Sequence, residues 1–556
     1  MCFRLLHTLH HCGFVEKIDE RHYRLMAVIR PRKRFRIGYA SQGQDSSFPR
    51  EVHAGLLSAA EREQLELIVV DNKYQPKVAL RNAQHLIKEK VDLVIEFQTD
   101  EAIAPAIASK YLEAGIPLIA IDIPHPGATY FGADNYQAGL LGGRYLGKYA
   151  HACWNGHVDA VLILETGHRI IRLTGDAGGS TLYFHDNAFS PEGDKMMINT
   201  PAGVAVVDVA KIGTGSSPLD IVAPAVRGGY FARRSREIYY GGAGGAAVKT
   251  VNVDTKQTRD VMHARGLINA DETVSVVKNG KAIDAEGKYP KPPVRPIVPQ
   301  LHRMFPGKRM EDLTPDQQYS VKKEDGLAPR ALNPSLQSFI FTSLKTGEFR
   351  ENGFQYGDLN HLQFNPTDPN LLLYCHEGTW HELDRTWTIR TDGTQKQLMH
   401  TRTMDMEING HEWWSWDGKT IWFDLQTPRS QVFWIAGVEM ATGRKIRYHV
   451  ERDWWSVHFN SSRDNTLFAG DGGDPSQVAY STDGMWINLF RVQRGERIAR
   501  EKLASMANHN YVTGRGGVEP NVHITPDKKW VDFTGQFATG QRHVYAVEIE
   551  RTKPVK

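Results

Sequence analysis

From Phe35 the chain alternates short apolar runs with segments of helical periodicity. FRIGYA, LELIVVD, VDLVIEF and IPLIAID have strand length, and residues 49–63, 77–90, 101–114 and 135–149 carry amphipathic helix spacing. Such alternation predicts a doubly wound parallel α/β sheet over about 35–165. From Thr166 the pattern becomes short strands rich in Val, Ile, Tyr and Trp, separated by Gly, Asp and Pro turns. Five segments, FSPEGDKMMI, FNPTDPNLLLY, HEWWSWDGKTIWF, FNSSRDNTLFAG and ITPDKKWVDFTG, each set a polar turn ahead of a strand. A four-stranded unit repeating about every 40–60 residues buries its faces only against its neighbours, so residues 166–556 predict an all-β propeller of seven blades. Residues 1–34 read as a short helix stopped at Gly13, then a small hairpin. The Pro- and Lys-rich stretch from about 278 to 335 reads as a long surface excursion between blades.

Composition changes this picture little. A chain of 556 residues predicts more than one domain. With 67 Lys and Arg against 64 Asp and Glu, the net charge of +3 gives no chain-wide attraction to nucleic acid or membrane, so any affinity for anions is local. Cys2, Cys12, Cys153 and Cys375 show no C-x-x-C spacing, which argues against a disulfide framework or a thiolate zinc site and for a reducing compartment. No apolar run has membrane-spanning length and the first twenty residues lack a secretory pattern, so a soluble, cytoplasmic protein is expected. Oligomeric state has no signature.

Candidate chemistry concentrates in the propeller. His361, His376 with Glu377 and Arg385, His411 with Glu412, His458, and Glu519, Asn521 and His523 recur at comparable places in successive repeats, and His185 and Asn187 stand in YFHDN. Histidines beside carboxylates at converging loop positions suggest a metal or acid-base site. The structural alternatives are a packed blade-edge histidine at His411, an ordinary ion pair at Arg385 and an Asn-capped turn around Pro520.

Three resemblances add expectations. LLHTLHHCGFVEKIDERHYRLM resembles the end of an IclR-type winged helix, but the upstream helices are absent and DNA reading is not expected. RIGYASQGQDSSFPREVHAG, VDLVIEFQTD and IPLIAIDIPHPGATYFGADNYQAG resemble the first lobe of periplasmic-binding-protein-like sugar sensors, as in LacI-type regulators. That resemblance puts Gln42, Phe48, Gln98, Asp122 and Asn135 at a sugar cleft. The chain departs from the pattern after VLILE, leaving half a cleft and weak or no ligand binding.

YCHEGTWHELDRTWTIRTDGT, HEWWSWDG, SVHFNSSRDNTLFAGDG and TPDKKWVDFTG resemble successive blades of oligogalacturonate lyases, family 22 of the polysaccharide lyases, and TGHRIIRLTGDAGGSTLYFHDNAFSPEGDKM resembles their opening blade. The resemblance implies metal-assisted β-elimination of short oligogalacturonides in pectin degradation. It makes His411 the general base, Arg385 the group near the substrate carboxylate and His458 a metal ligand, with His376, Glu377, His361 and His185 as substrate contacts. Where the family's ligand run reads Q-x-x-H-x-H, this chain has Gly516, Glu519 and Asn521, whose oxygens suit Mn²⁺, or alternatively Ca²⁺; His523 and His509 are reserve ligands. The alternatives are a non-catalytic carbohydrate-binding propeller and a sugar-responsive transcription regulator.

Overall fold

A computed structural model describes residues 15–17, 23–25, 35–132 and 166–550, apart from short breaks at 44–46, 99, 101, 216–217, 227, 242–246, 297, 483, 508, 512–516 and 538–539, and isolated positions between 141 and 152. The chain divides into two compact units, Met1–Val158 and Asp159–Lys556. The helices expected before Gly13 and over 135–149 lie wholly or mostly outside the described residues, as do Asn135 and Gly516. Of the N-terminal hairpin, Val15–Lys17 pairs antiparallel with Tyr23–Leu25.

The first unit holds a five-stranded, all-parallel sheet ordered Glu66–Asp71, Arg36–Ser41, Leu93–Glu96, Leu118–Ile121, Thr129–Phe131. Helices Ser47–Arg62, Pro76–Lys88 and Ala104–Glu113 connect the strands, each within a few residues of its expected place. Leu93–Glu96 and Leu118–Ile121 are buried at every position because helices and strands cover both faces of a parallel sheet, so they read as continuous apolar runs rather than alternating ones. Gln42 and Gln98 line one small cavity. Gln98 is held there by Asp100, whose backbone N–H it receives at 2.6 Å and whose carbonyl it reaches at 2.9 Å. Phe48 is exposed and sets its edge on Phe97. Burial raises the Asp122 carboxyl above its usual range.

The second unit is a seven-bladed β-propeller: one three-stranded and six four-stranded antiparallel sheets follow one another along the chain. The recurring turns have a common chemistry. The hydroxyls of Ser190, Ser415, Ser462 and Thr525 each donate to an aspartate at 2.7 Å. Each also receives the N–H five residues on, at 2.9–3.1 Å, where the next strand begins. Such side-chain-to-backbone bonds satisfy groups that the ladder leaves open, which explains why the repeat is visible as turns more than as strands. Ring closure joins the two ends of the unit: Ile170–Arg172 pairs with Arg542–Glu548, so the segment expected to open the first blade completes the last.

The excursion differs from expectation. It lies within the third blade, between the paired strands Val274–Asn279 and Ser335–Ser343, rather than between blades. It also carries structure of its own. Helix Pro315–Leu332 starts at a Thr314–Gln317 capping box, and its Glu324 reaches a buried ion pair with Arg429 at 2.7 Å. Gln300 meets His381 at 2.8 Å. Removing either partner of the Glu324–Arg429 pair leaves a charge without a counterion in a dry setting, so the segment is fastened to the fifth blade. Among the described residues no helix is long and apolar enough to cross a membrane.

Candidate active site at the propeller channel

The first strands of the fourth to seventh blades are Leu359–Phe364, Ile408–Trp414, Phe459–Ser461 and His523–Ile524. Strand Phe459–Ser461 touches His523–Ile524 and Leu267–Ile268 touches Leu359–Phe364, which marks these strands as the inner wall of the ring. Two of them bulge where they begin. Pairing slips between Asn360 and Gln363 and between Gly410 and Trp413. His361 and His411, inside those slips, have left-handed backbones at φ 51° and 46°, as does Asn521 at 52° just before its strand. A bulge re-aims a side chain, and a left-handed non-glycine residue persists only where its surroundings enforce it.

The side chains form a continuous circuit. His185 and His361 rings lie 5.4 Å apart. His361 stands 3.4 Å from Glu412 and 3.9 Å from Glu377. Arg385 grips Glu377 with two contacts of 3.2 Å and lies 4.2 Å over Trp380. Trp380 meets His411 at 4.8 Å, His411 meets His458 edge to face at 4.5 Å, and Nε2 of His458 is 3.8 Å from Glu519. Tyr183 touches three of these histidines, His185, His361 and His458.

Two histidines are held by the same device. Nδ1 of His411 bonds Asp424 at 2.9 Å and Nδ1 of His458 bonds Asp471 at 2.8 Å, each aspartate thirteen residues downstream on the neighbouring strand or just past its end. The second nitrogen, Nε2, of each ring is thereby left for chemistry. Burial drives His411 well below the ordinary histidine value, helped by the charges of His458 and Arg385. Burial pushes Asp424 up to about 7. His411 is therefore neutral near pH 7, with Nε2 as a lone-pair base. His458 behaves oppositely: burial lowers it, but Asp471 and Glu519 outweigh that and raise it. The surroundings of His458 thus favour positive charge, and those of His411 do not.

Several expectations need correction. Arg385 is no open clamp: it is fully enclosed, and its two terminal nitrogens are occupied by Glu377. Burial lowers the Arg385 guanidinium, but Glu377 more than restores it, while Arg385 in turn holds Glu377 at about 2 against its burial. His376 lies on the opposite side of its strand from Cys375 and Glu377, bonded to Gln355 at 3.0 Å, and is not part of the circuit. The Asn521 side chain receives the N–H of Phe184 at 3.3 Å and donates to the Glu519 carbonyl at 3.1 Å, so only one lone pair of its oxygen remains for a cation. His523 bonds Asp532 and the Tyr183 carbonyl, both at 3.3 Å, and His509 bonds the Val518 carbonyl at 2.9 Å. Neither reserve histidine is open. Tyr183, Phe184, Trp380, Asp424 and Asp471 were not singled out from sequence. The shared His-to-Asp spacing of thirteen was the signal available for the last two.

For a divalent ion, Nε2 of His458 and the Glu519 carboxylate supply an imidazole and a carboxylate donor, a pairing suited to Mn²⁺. His361, Cys375 and Glu377 also place ligand atoms within 4.8 Å of one another. There the guanidinium of Arg385 already neutralises Glu377 and repels a cation, so the His458 side fits better.

Two histidines outside the circuit contribute to the acid sensitivity of this region. Burial, reinforced by Lys396 and Arg385 and opposed by Asp358, holds His376 at about 4. Burial with Arg429, Arg303 and Arg402 holds His381 at about 3. Both are depressed on folding, so the unfolded chain binds more protons below about pH 6.5. Their contribution is intact above that pH and is lost as pH falls toward 4 and then 3. Thermal scans from pH 7 to pH 4 are expected to show a progressive fall in Tm, and Gln in place of His376 is expected to flatten part of that fall.

A family model described as oligogalacturonate lyase matches residues 331–552, and one described as periplasmic binding protein domain matches 37–182. An oligogalacturonide lyase of Pectobacterium atrosepticum is 27% identical over 41% of this chain and 62% of its own length. An oligogalacturonate lyase of Dickeya dadantii is 28% identical over the same shares, 41% and 62%. The chain thus matches under two thirds of the length of either relative. A solved oligogalacturonate lyase in complex with manganese superposes with a TM-score of 0.53 at 19% identity, covering 70% of this chain and 96% of the other. The lyase structure from Vibrio parahaemolyticus gives 0.53 at 16% identity and the same coverage. At these identities the superpositions establish the propeller fold.

Proposed function

We propose that the propeller, residues 166–556, is a lyase that cleaves short oligogalacturonides by β-elimination, with His411 as the base. The observation that carries this reading is a buried, neutral histidine with a free Nε2, set edge to face against a second histidine whose surroundings favour positive charge. The family match over 331–552 supports the substrate class.

The proton at C5 of a uronate is weakly acidic because its removal adds charge to a group already anionic. His458 and Glu519, with Asn521 as a further oxygen donor, would hold a divalent cation, Mn²⁺ favoured by the complex of the solved lyase, and its charge would stabilise the developing anion. His411 accepts the C5 proton at Nε2. The C5 electron pair forms the C4–C5 double bond, the C4–O bond breaks, and the leaving oxygen is protonated from solvent. Asp424 accepts the hydrogen bond from Nδ1–H of His411 and stabilises the imidazolium as it forms. Arg385 and Trp380 act on geometry: the guanidinium locks Glu377 and backs the indole that packs on His411. His361 and His185 face the same space as substrate contacts, with Glu377 behind His361. The α/β unit over 35–165 takes no part in these steps.

Asn in place of Asp424 is expected to lower kcat by about 10²-fold with little change in KM, because the tautomer and orientation of the base are lost while binding groups remain. A comparable fall in both constants, or none, contradicts the role. Dialysis against a chelator is expected to abolish turnover and added Mn²⁺ to restore it; a protein as active after exhaustive chelation would remove the metal from the reading. Mass analysis of the products tests the reaction class, since elimination yields a fragment lighter by one water than hydrolysis does.

A further inference from the structure

The inner strands carry a second cluster beyond the catalytic circuit. Five residues after His411, His458 and His185 stand Trp416, Arg463 and Ser190. Phe184 lies between the two levels. It is fully buried, stacked on His458 at 4.9 Å, and edge-on both to His411 at 5.9 Å and to Trp413 at 6.3 Å. On the Trp413 side of Phe184 opens a small cavity of about 60 Å³ that reaches His185 and is lined also by Arg233, Arg463, Trp416, Asn460 and Ser461.

The guanidiniums of Arg463 and Arg233 both lie over the Trp416 ring, at 3.7 and 5.0 Å from its centre. Arg463 gives its terminal nitrogens to the carbonyls of Pro191 and Ser190, both at 3.1 Å, while its buried Nε has no partner. Arg233 makes no hydrogen bond or ion pair with any described residue. The nearby carboxylates do not balance this charge. Glu192 is engaged by Arg236 at 2.7 Å, and Asp186, which attracts Arg233, makes no ion pair with either arginine. Burial and the neighbouring Arg463 lower Arg233 to about 10, which an anionic partner would reverse. Two guanidiniums aimed by one indole, neither in an ion pair with a carboxylate among the described residues, have the chemistry of an anion receptor.

We propose that this end of the channel is a second ligand site, taking a small oxyanion, the carboxylate of a sugar acid or an inorganic phosphate, between Arg233 and Arg463. The proposal does not rest on the lyase reading and stands whether or not elimination is detected. Calorimetric titration of the full chain with galacturonate, inorganic phosphate and galactose, at constant ionic strength, tests it. Saturable binding of at least one of the two anions is expected, none of galactose, and a Kd at least tenfold weaker in Arg233→Gln. The anion that binds identifies the source. Because Arg233 makes no hydrogen bond or ion pair with any described residue and touches Trp416 only as a cation over a ring, that variant is expected to keep its Tm. Binding at the His411 end survives in it, so the component that counts is the one it loses. Absence of saturable binding by either anion, or an unchanged isotherm in Arg233→Gln, overturns the proposal.

Discussion

Alanine at position 411 is expected to lower kcat/KM on trigalacturonate by about 10²–10⁴-fold while leaving the propeller folded. No neighbouring imidazole can replace it. His458 is raised toward the protonated form, its Nε2 facing Glu519, and His361 sits against two carboxylates. The fold should tolerate the change because Asp424, already pushed up to about 7, can take a proton when its partner is gone. Initial rates beside thermal melts separate the two effects. Lost activity with an unchanged Tm assigns the loss to chemistry, and retained activity would remove His411 as the base.

The second large effect concerns stability. Arg385→Met is expected to cost about 3–5 kcal/mol, read as a lower midpoint in urea unfolding. The guanidinium is completely enclosed and both oxygens of Glu377 depend on it. Methionine preserves much of the volume against Trp380 but leaves Glu377 as a buried charge with no counterion. Pairing Arg385→Met with Glu377→Gln removes that charge and is expected to recover more than half of the loss. A single variant as stable as the parent would show that Arg385 is a free clamp and not a buttress.

Four strands of the α/β unit were legible as apolar runs, two of them buried at every position, between helices of a different period, whereas the three-residue edge strand Thr129–Phe131 is too short and too exposed to stand out. The blades were legible through their turns: Ser190, Ser415, Ser462 and Thr525 repeat one hydrogen-bonded arrangement, and that chemistry leaves a mark in sequence. The placement of the excursion was not, since only the pairing of Val274–Asn279 with Ser335–Ser343 shows that one blade continues across it. Cys375, His376 and Glu377 illustrate a further limit. Strand periodicity says that the middle residue faces away from the other two, but not which side lines the channel. The enclosure of Arg385 was likewise hidden, because an arginine near acidic residues in sequence reads alike whether it faces a substrate or a neighbouring carboxylate. The role of Asn521 depends on Phe184, a contact between residues 337 positions apart.

The most direct measurement is the ultraviolet absorbance of unsaturated uronate formed from di- and trigalacturonate with added Mn²⁺, recorded for the parent protein beside His411→Ala. The account predicts a steady rise with the parent and almost none with the variant. No rise with the folded parent under any divalent metal, or an equal rise with both proteins, would contradict it.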